Sequence, residues 1–377
     1  MRKLHVAVIG AGAFGGWTAL YLLREGARVT LVDAWGPGNS RASSGGETRV
    51  MRGTYGPEQP YTALAARALH LWTFNERKWK KRFLHRIGVL WMAAERDAAW
   101  EAGSLELLKE AKIPYERLSK PTLVRRWPQI NFEAIEWGVF EPESGYLLAR
   151  ASCQGVVDAF IGEGGRYLQS AMPEQDLDAA PPKKLILSDR STLCADCFVF
   201  ACGPWMGTLF PHTIGARIQS TKQDVFFFGT PPGDSRFEES QLPVWADHRV
   251  PFMYGIPGNQ GRGFKVADDT RGPSFHPTTG ERRIGDERLR SAREYLEFRF
   301  PAMRGAPLVE TRVCQYEQTP DSHFIIDRHP EAETVWLVGG GSGHGFKHGP
   351  AVGEQVAKLV LKDQPTATFW RLSRFPK

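Results

Sequence analysis

LHVAVIGAGAFGGWTALYLLREGARVTLVD, residues 4–33, divides into three pieces with different periodicities. Residues 4–9 form a short continuous apolar run, which predicts a buried strand. Residues 13–25 place Phe14, Trp17 and Tyr21 on one face of a helix, and 28–33 return to the buried-strand pattern. The turn between them, GAGAFG at 10–15, carries Gly10, Gly12 and Gly15. Such glycines permit a tight turn and let backbone N–H groups approach a pyrophosphate at the helix N-terminus. Asp33 ends the second strand about 20 residues beyond the glycines, where a carboxylate can accept hydrogen bonds from an adenosine ribose. The two signals together predict dinucleotide binding in a βαβ unit and leave FAD and NAD both open.

The chain has 377 residues, 42% of them hydrophobic and 24% charged, which suits two domains and excludes disordered and fibrous classes. Its net charge of +6 is spread among interspersed acidic residues, so no nucleic-acid surface is expected. The densest basic run, RKWKKR at 77–82, follows an apolar-periodic stretch and reads as a solvated helix end. Five cysteines, an odd number, argue against a disulfide framework and for a reducing, cytoplasmic setting. Cys194 and Cys197 form a CxxC without a second ligand pair, so no metal is expected. No apolar run approaches the roughly 18 residues of a membrane span.

Helical and strand patterns alternate after the opening unit, with helices predicted near 61–81, 97–112 and 149–162 and strands at 88–93 and 137–140. Between about 183 and 310, short strand-like runs separated by Pro/Gly clusters predict a mainly antiparallel sheet. GPSFHPTTGERR at 272–283 reads as a surface loop long enough to cover a site. TVWLVGG at 334–340 is again a buried strand, and Pro350 opens a last helix. The two ends of the chain therefore form one domain around an inserted one.

CQYEQTPDSHFIIDRHP at 314–330 and GGGSGHGFKHGP at 339–350, with SSGGETRVMRGTYG at 43–56, RWPQI at 126–130, EPESGYL at 141–147, ACGPW at 201–205 and GFK at 263–265, resemble the D-amino acid oxidase superfamily. Within it they are similar to the monomeric sarcosine oxidase and N-methyltryptophan oxidase family. The resemblance implies an α/β (α+β) chain, with a Rossmann-like FAD-binding domain at 1–85, 146–215 and 311–377 and an inserted substrate-binding domain at 86–145 and 216–310, built on a mixed, largely antiparallel sheet. It implies FAD held by Gly10, Gly12, Gly15, Asp33, Ser43, Ser44, Arg49, Gly203, Trp205, Gly341, Gly343, His344, Gly345, Phe346 and Lys347, with a thioether from Cys314 to the ring.

By the same resemblance Lys265 and Arg49 face the flavin, Lys265 as the cation that activates molecular oxygen. Arg52 and Lys347 clamp the carboxylate of a small amino-acid substrate, and Tyr254 and Tyr316 line the pocket. The implied reaction takes a secondary amino acid, N-alkyl or cyclic, to an imine and hydrogen peroxide, in a monomer that needs no membrane. One departure bears on specificity: Asp269 in KVADDT aligns with a pocket histidine of monomeric sarcosine oxidase, and it either faces the pocket or turns outward with Asp268. A flavin dehydrogenase with another acceptor and a non-catalytic flavin subunit are the rival readings.

Overall fold

The computed structural model describes residues 3–95, 98–173, 175–179, 182 and 184–376. The opening unit forms as its periodicity predicts: strand His5–Ile9, helix Ala13–Arg24 and strand Arg28–Asp33. Both strands lie in a six-stranded sheet, ordered Ile325–His329, Ala332–Gly339, Cys197–Phe200, His5–Ile9, Arg28–Asp33, Arg166–Gln169. Every pair is parallel except the hairpin of the first two. The inner strands are buried on both sides, the environment that continuous apolar runs require.

Helix Ala13–Arg24 packs against the last helix, Gly349–Lys362, so the two ends of the chain share one core. Gly353 sets how closely they approach: a Cβ there would lie 2.5 Å from the Trp17 carbonyl carbon. Trp17 packs edge-on to Trp72 of helix Gln59–Trp79, which closes the same core.

An eight-stranded sheet forms the second layer, ordered Leu308–Gln318, Gln219–Phe228, Phe264–Asp268, Met253–Ile256, Val244–Asp247, Val89–Ala93, Trp137–Glu141, Glu116–Ser119. It is mixed and largely antiparallel, with one parallel pair, Val244–Asp247 beside Val89–Ala93. Leu308–Gln318 spans the boundary placed at residue 311, and it pairs with Gln219–Phe228 from Gln318 to Leu308. Cys314 and Tyr316 thus enter the molecule from this sheet. Helix Asp286–Arg299, in a stretch for which the sequence reading gave no element, covers one face through Ala292 and Leu296.

Register decides what the other face carries. Residues directly opposite one another in neighbouring strands point the same way. The pairs Tyr316 with Thr221, Cys314 with Gln223, Phe227 with Lys265, Val225 with Ala267, Ala267 with Tyr254, Tyr254 with Ala246 and Ala246 with Trp91 put one continuous set on one face. Val89 with Glu141 extends it. Among the described residues no helix is long and apolar enough to cross a membrane.

Candidate functional site

Gly10 leaves the first strand with φ 104°, in the left-handed region that glycine enters without strain. A Cβ at Gly10 would lie 2.4 Å from the Ala201 carbonyl oxygen, and one at Gly15 only 1.8 Å from that of Gly10. The turn is therefore closed to larger residues and opens helix Ala13–Arg24 onto free space. Asp33 Oδ2 accepts the Ala11 N–H at 2.8 Å, while Oδ1 accepts those of Trp35 and Gly36. Burial raises the Asp33 pKa against these hydrogen bonds, and the half-buried carboxylate keeps acceptor capacity for a sugar hydroxyl.

A cleft of about 280 Å³ follows, lined among others by Gly10, Gly12, Asp33, Trp35, Gly203 and Trp205. Trp205 packs on Trp35 at 5.0 Å and donates from Nε1 to Thr278 Oγ1 at 2.8 Å. Thr278 belongs to the loop 272–283 and also lines the cleft, so that loop covers this end of the site. The cleft shares Gly12 and Gly203 with a channel of about 80 Å³. Ser43, Ser44, Gly341, Gly343, Gly345 and Phe346 line the channel, and a Cβ on Gly343 would lie 2.6 Å from the Tyr316 ring. The channel in turn shares Arg49, Tyr316, Gly343 and Phe346 with a cavity of about 60 Å³.

This inner cavity brings together Arg52, Lys347, Tyr254, Tyr316 and Asp269. The Arg52 guanidinium lies between the rings of Tyr55 at 4.0 Å and Trp91 at 4.9 Å, where a cation gains from both π faces. Lys347 Nζ donates to Tyr55 Oη at 2.8 Å and to the His344 carbonyl at 2.9 Å, which leaves one N–H without a protein acceptor. Burial, then Arg52, holds the Lys347 pKa well below that of a free lysine. Asp269 accepts from Tyr316 Oη at 2.8 Å, and burial lifts its pKa to about 6. Asp268 turns away and pairs with Arg288.

Lys265 and Cys314 are not in this cavity. They line a neighbouring one of about 30 Å³, and Arg49 faces both. Arg49 Nη2 donates to Cys314 Sγ at 3.4 Å and to the Ser43 carbonyl at 2.5 Å. Lys265 is 3% exposed, its Nζ 3.4 Å from the Thr48 carbonyl oxygen and 5.1 Å from the Tyr254 ring centroid. Burial, with Arg49 adding repulsion, lowers its pKa to about 7. Of the other cysteines, Cys202 lines the cleft, Cys153 and Cys197 are buried, and Cys194 is exposed. Among the described residues no cluster suited to a metal ion occurs.

Sequence reasoning missed three residues here. Tyr55 is a hub: beyond Lys347, its hydroxyl meets His348 Nε2 at 2.6 Å and His344 Nδ1 at 3.2 Å. The two histidines therefore act through Tyr55 or hold it. Glu141 is fully buried and accepts from Gly53 N–H at 2.7 Å, Thr54 N–H at 3.0 Å, Thr54 Oγ1 at 2.6 Å and Ser144 Oγ at 2.7 Å. It fixes the turn between Arg52 and Tyr55. Glu317 is buried beside the channel. All three lie inside segments quoted for the family resemblance, but a buried acid has no local signature.

The connected cavities, with peptide N–H groups at one end and cations at the other, suit an extended dinucleotide. The sequence pattern of the FAD dependent oxidoreductase family, DAO, matches residues 5–359. The chain belongs to that family. It is 31% identical over 362 residues to a monomeric sarcosine oxidase of Bacillus sp. (strain B-0618), covering 94% of this chain and 92% of that one. It is 26% identical over 379 residues to an N-methyl-L-tryptophan oxidase of Yersinia pestis (strain Pestoides F), covering 98% of each. The fold matches an L-proline dehydrogenase from P. horikoshii with a TM-score of 0.85 at 19% identity, over 99% of this chain and 98% of that one. The protein is a sarcosine oxidase-like, FAD-dependent oxidoreductase.

Replacing Glu141 by Ala strands several buried donors, each costing about 1–3 kcal/mol, and frees the turn that carries Arg52. Thermal denaturation should show a clear loss of stability. Steady-state kinetics should show KM rising more than kcat falls, and an unchanged KM would separate Glu141 from substrate binding.

Proposed function

We propose that this oxidoreductase converts the C–N bond of a small secondary amino acid, N-alkyl or cyclic, to an imine and reduces molecular oxygen to hydrogen peroxide. The observation that carries the reading is the convergence of Arg52 and Lys347 on one small cavity at the inner end of the dinucleotide channel. Two cations, one with an unused N–H, suit a carboxylate, and Trp91, Phe252 and Tyr254 supply walls for an apolar substituent while excluding water. FAD, when bound, supplies the acceptor for a hydride equivalent from the carbon beside nitrogen.

The glycine turn and Asp33 would hold the dinucleotide's diphosphate and ribose. Ser43, Ser44, Arg49, Gly341, Gly343, Gly345 and Phe346 would hold its inner half. Cys314 is assigned the thioether to the ring, since its sulfur lies 3.4 Å from the guanidinium of Arg49, which also borders the dinucleotide channel. After acid precipitation the yellow colour should stay with wild-type protein and leave with Cys314→Ala. Colour in the wild-type supernatant would refute the linkage.

Lys265 is assigned the oxygen step, because a fixed cation beside reduced cofactor acts on charge that forms only as oxygen is reduced. In stopped-flow experiments Lys265→Met should slow reoxidation by about 10²- to 10³-fold and anaerobic reduction far less. Substrate-dependent dye reduction without peroxide in wild type would instead mark a dehydrogenase.

Asp269 sets the substrate class. Its carboxyl group, held by Tyr316, shares the cavity with the two cations, so it accepts a hydrogen bond from the substrate's amine and opposes a second carboxylate. Peroxide release should be weak with sarcosine and stronger with proline, pipecolate or bulkier and basic N-substituted amino acids, and Asp269→His should reorder that ranking. Efficient sarcosine turnover with an unmoved ranking would remove Asp269 from specificity.

A further inference from the structure

Glu317 is one of the most deeply withdrawn acids of the site, 8% exposed on strand Leu308–Gln318, and no step proposed above uses it. Its carboxyl group lies under the turn that ends strand Ala332–Gly339, facing the backbone N–H groups of Gly340 and Gly341. Oε1 would be 3.2 Å from a Cβ on Gly341, and Oε2 would be 3.1 Å from one on Gly339. Oε2 is buried and has no hydrogen-bond partner in the protein. The same side chain lines the middle channel with Gly12, Ser44 and Gly203. Oε2 is sealed on the Gly339 side of the turn, away from the channel, while Oε1 lies on the side of Gly341, which lines the channel, so the buried acid meets the channel through Oε1. A carboxyl group with one oxygen sealed and unpartnered is costly as an anion, and its other oxygen at a ligand channel is explained most simply by the ligand.

The surrounding charges decide which form it takes. Cys202, beyond strand Cys197–Phe200, is the titratable group that faces it from the first sheet, while Arg49 and Tyr316 line the same channel. None of these is hydrogen-bonded or ion-paired to it among the described residues, and only the two amides offset its burial. A carboxylate here would have no cation and would stand beside the dianionic chain of the family's cofactor. A carboxylic acid carries no such penalty and offers an O–H.

We propose that Glu317 is a direct ligand of bound FAD, present as a neutral acid whose Oε1–H donates to an oxygen of the chain joining the cofactor's two ring systems. The proposal rests on the family's FAD and is independent of the amine substrate. It makes cofactor retention a function of pH. Burial pushes the Glu317 pKa up to about 7, and a donated hydrogen bond raises it further in the complex. The bound state therefore keeps its proton at low pH. As pH rises through and beyond that range, binding must supply a proton from solution, and affinity falls by at most about tenfold per pH unit.

The test uses full-length holoprotein carrying Cys314→Ala, so that flavin is free to leave, with the dissociation constant read from the fluorescence of released FAD between pH 6 and 9. The affinity should fall above about pH 7 in this protein. Adding Glu317→Gln, which keeps a donor that does not titrate, should hold the affinity at its low-pH value throughout. Adding Glu317→Ala should weaken binding at pH 6 and remove the pH dependence. A flat profile in the Cys314→Ala protein, or an unchanged slope with Glu317→Gln, overturns the proposal while leaving the family reading intact. Absence of FAD from the protein at every pH overturns both.

Discussion

Lys265 and Lys347 are almost wholly removed from water, and neither has a carboxylate within ion-pair distance among the described residues. Withdrawing an ammonium group from water is expensive unless hydrogen bonds or an opposite charge replace the lost hydration. Carbonyl and hydroxyl oxygens do part of that here: Thr48 for Lys265, Tyr55 and His344 for Lys347. The remaining deficit appears as lowered pKa values for both lysines. Such groups are stable only where rigid backbone holds the oxygens in place. The strand Thr48–Met51 and the glycine-rich turn after Gly339 supply that backbone, and each is fixed by a different sheet.

Charge left uncompensated by the protein has a chemical use. A cavity carrying excess positive potential attracts an anionic group and stabilises negative charge formed inside it. Arg49 is the common element, since it borders the dinucleotide channel, the inner cavity and the chamber of Lys265 and Cys314. Its guanidinium is fixed by three acceptors, the Thr48 and Ser43 carbonyls and the Cys314 sulfur, so its charge stays in place whatever occupies the three spaces.

The opening βαβ unit was legible because each of its signals is local: an apolar run, a glycine turn and an acid at a set spacing. The convergence of Arg52, Lys347, Tyr254, Tyr316 and Asp269 was legible through resemblance to a family, not through any pattern in the residues themselves. Asp269 was the ambiguous case, and pairing settles its direction: Ala267 lies opposite Val225, on the face that carries Lys265 and Cys314, and Asp269 follows with the same parity. Asp268, of opposite parity, goes to Arg288. The placement of Leu308–Gln318 in the second sheet was not legible, because pairing with Gln219–Phe228 is a long-range choice. Glu141, Tyr55 and Glu317 were missed for the same reason. Their importance lies in what surrounds them, and their neighbours come from distant segments.

The six-stranded sheet has a consequence for how the protein is made. Strand Cys197–Phe200 lies between His5–Ile9 and Ala332–Gly339, and the second of these neighbours is translated long after the first. Until Ala332–Gly339 and Gly349–Lys362 leave the ribosome, an apolar strand has an open edge and helix Ala13–Arg24 lacks its cover. Arg49 and Arg52 are present early, but Lys347 arrives with the segments that seal that edge. Nascent chains are thus exposed to mispairing from the emergence of Cys197–Phe200 until that of Ala332–Gly339, and the two-cation cavity cannot form before the sheet is closed.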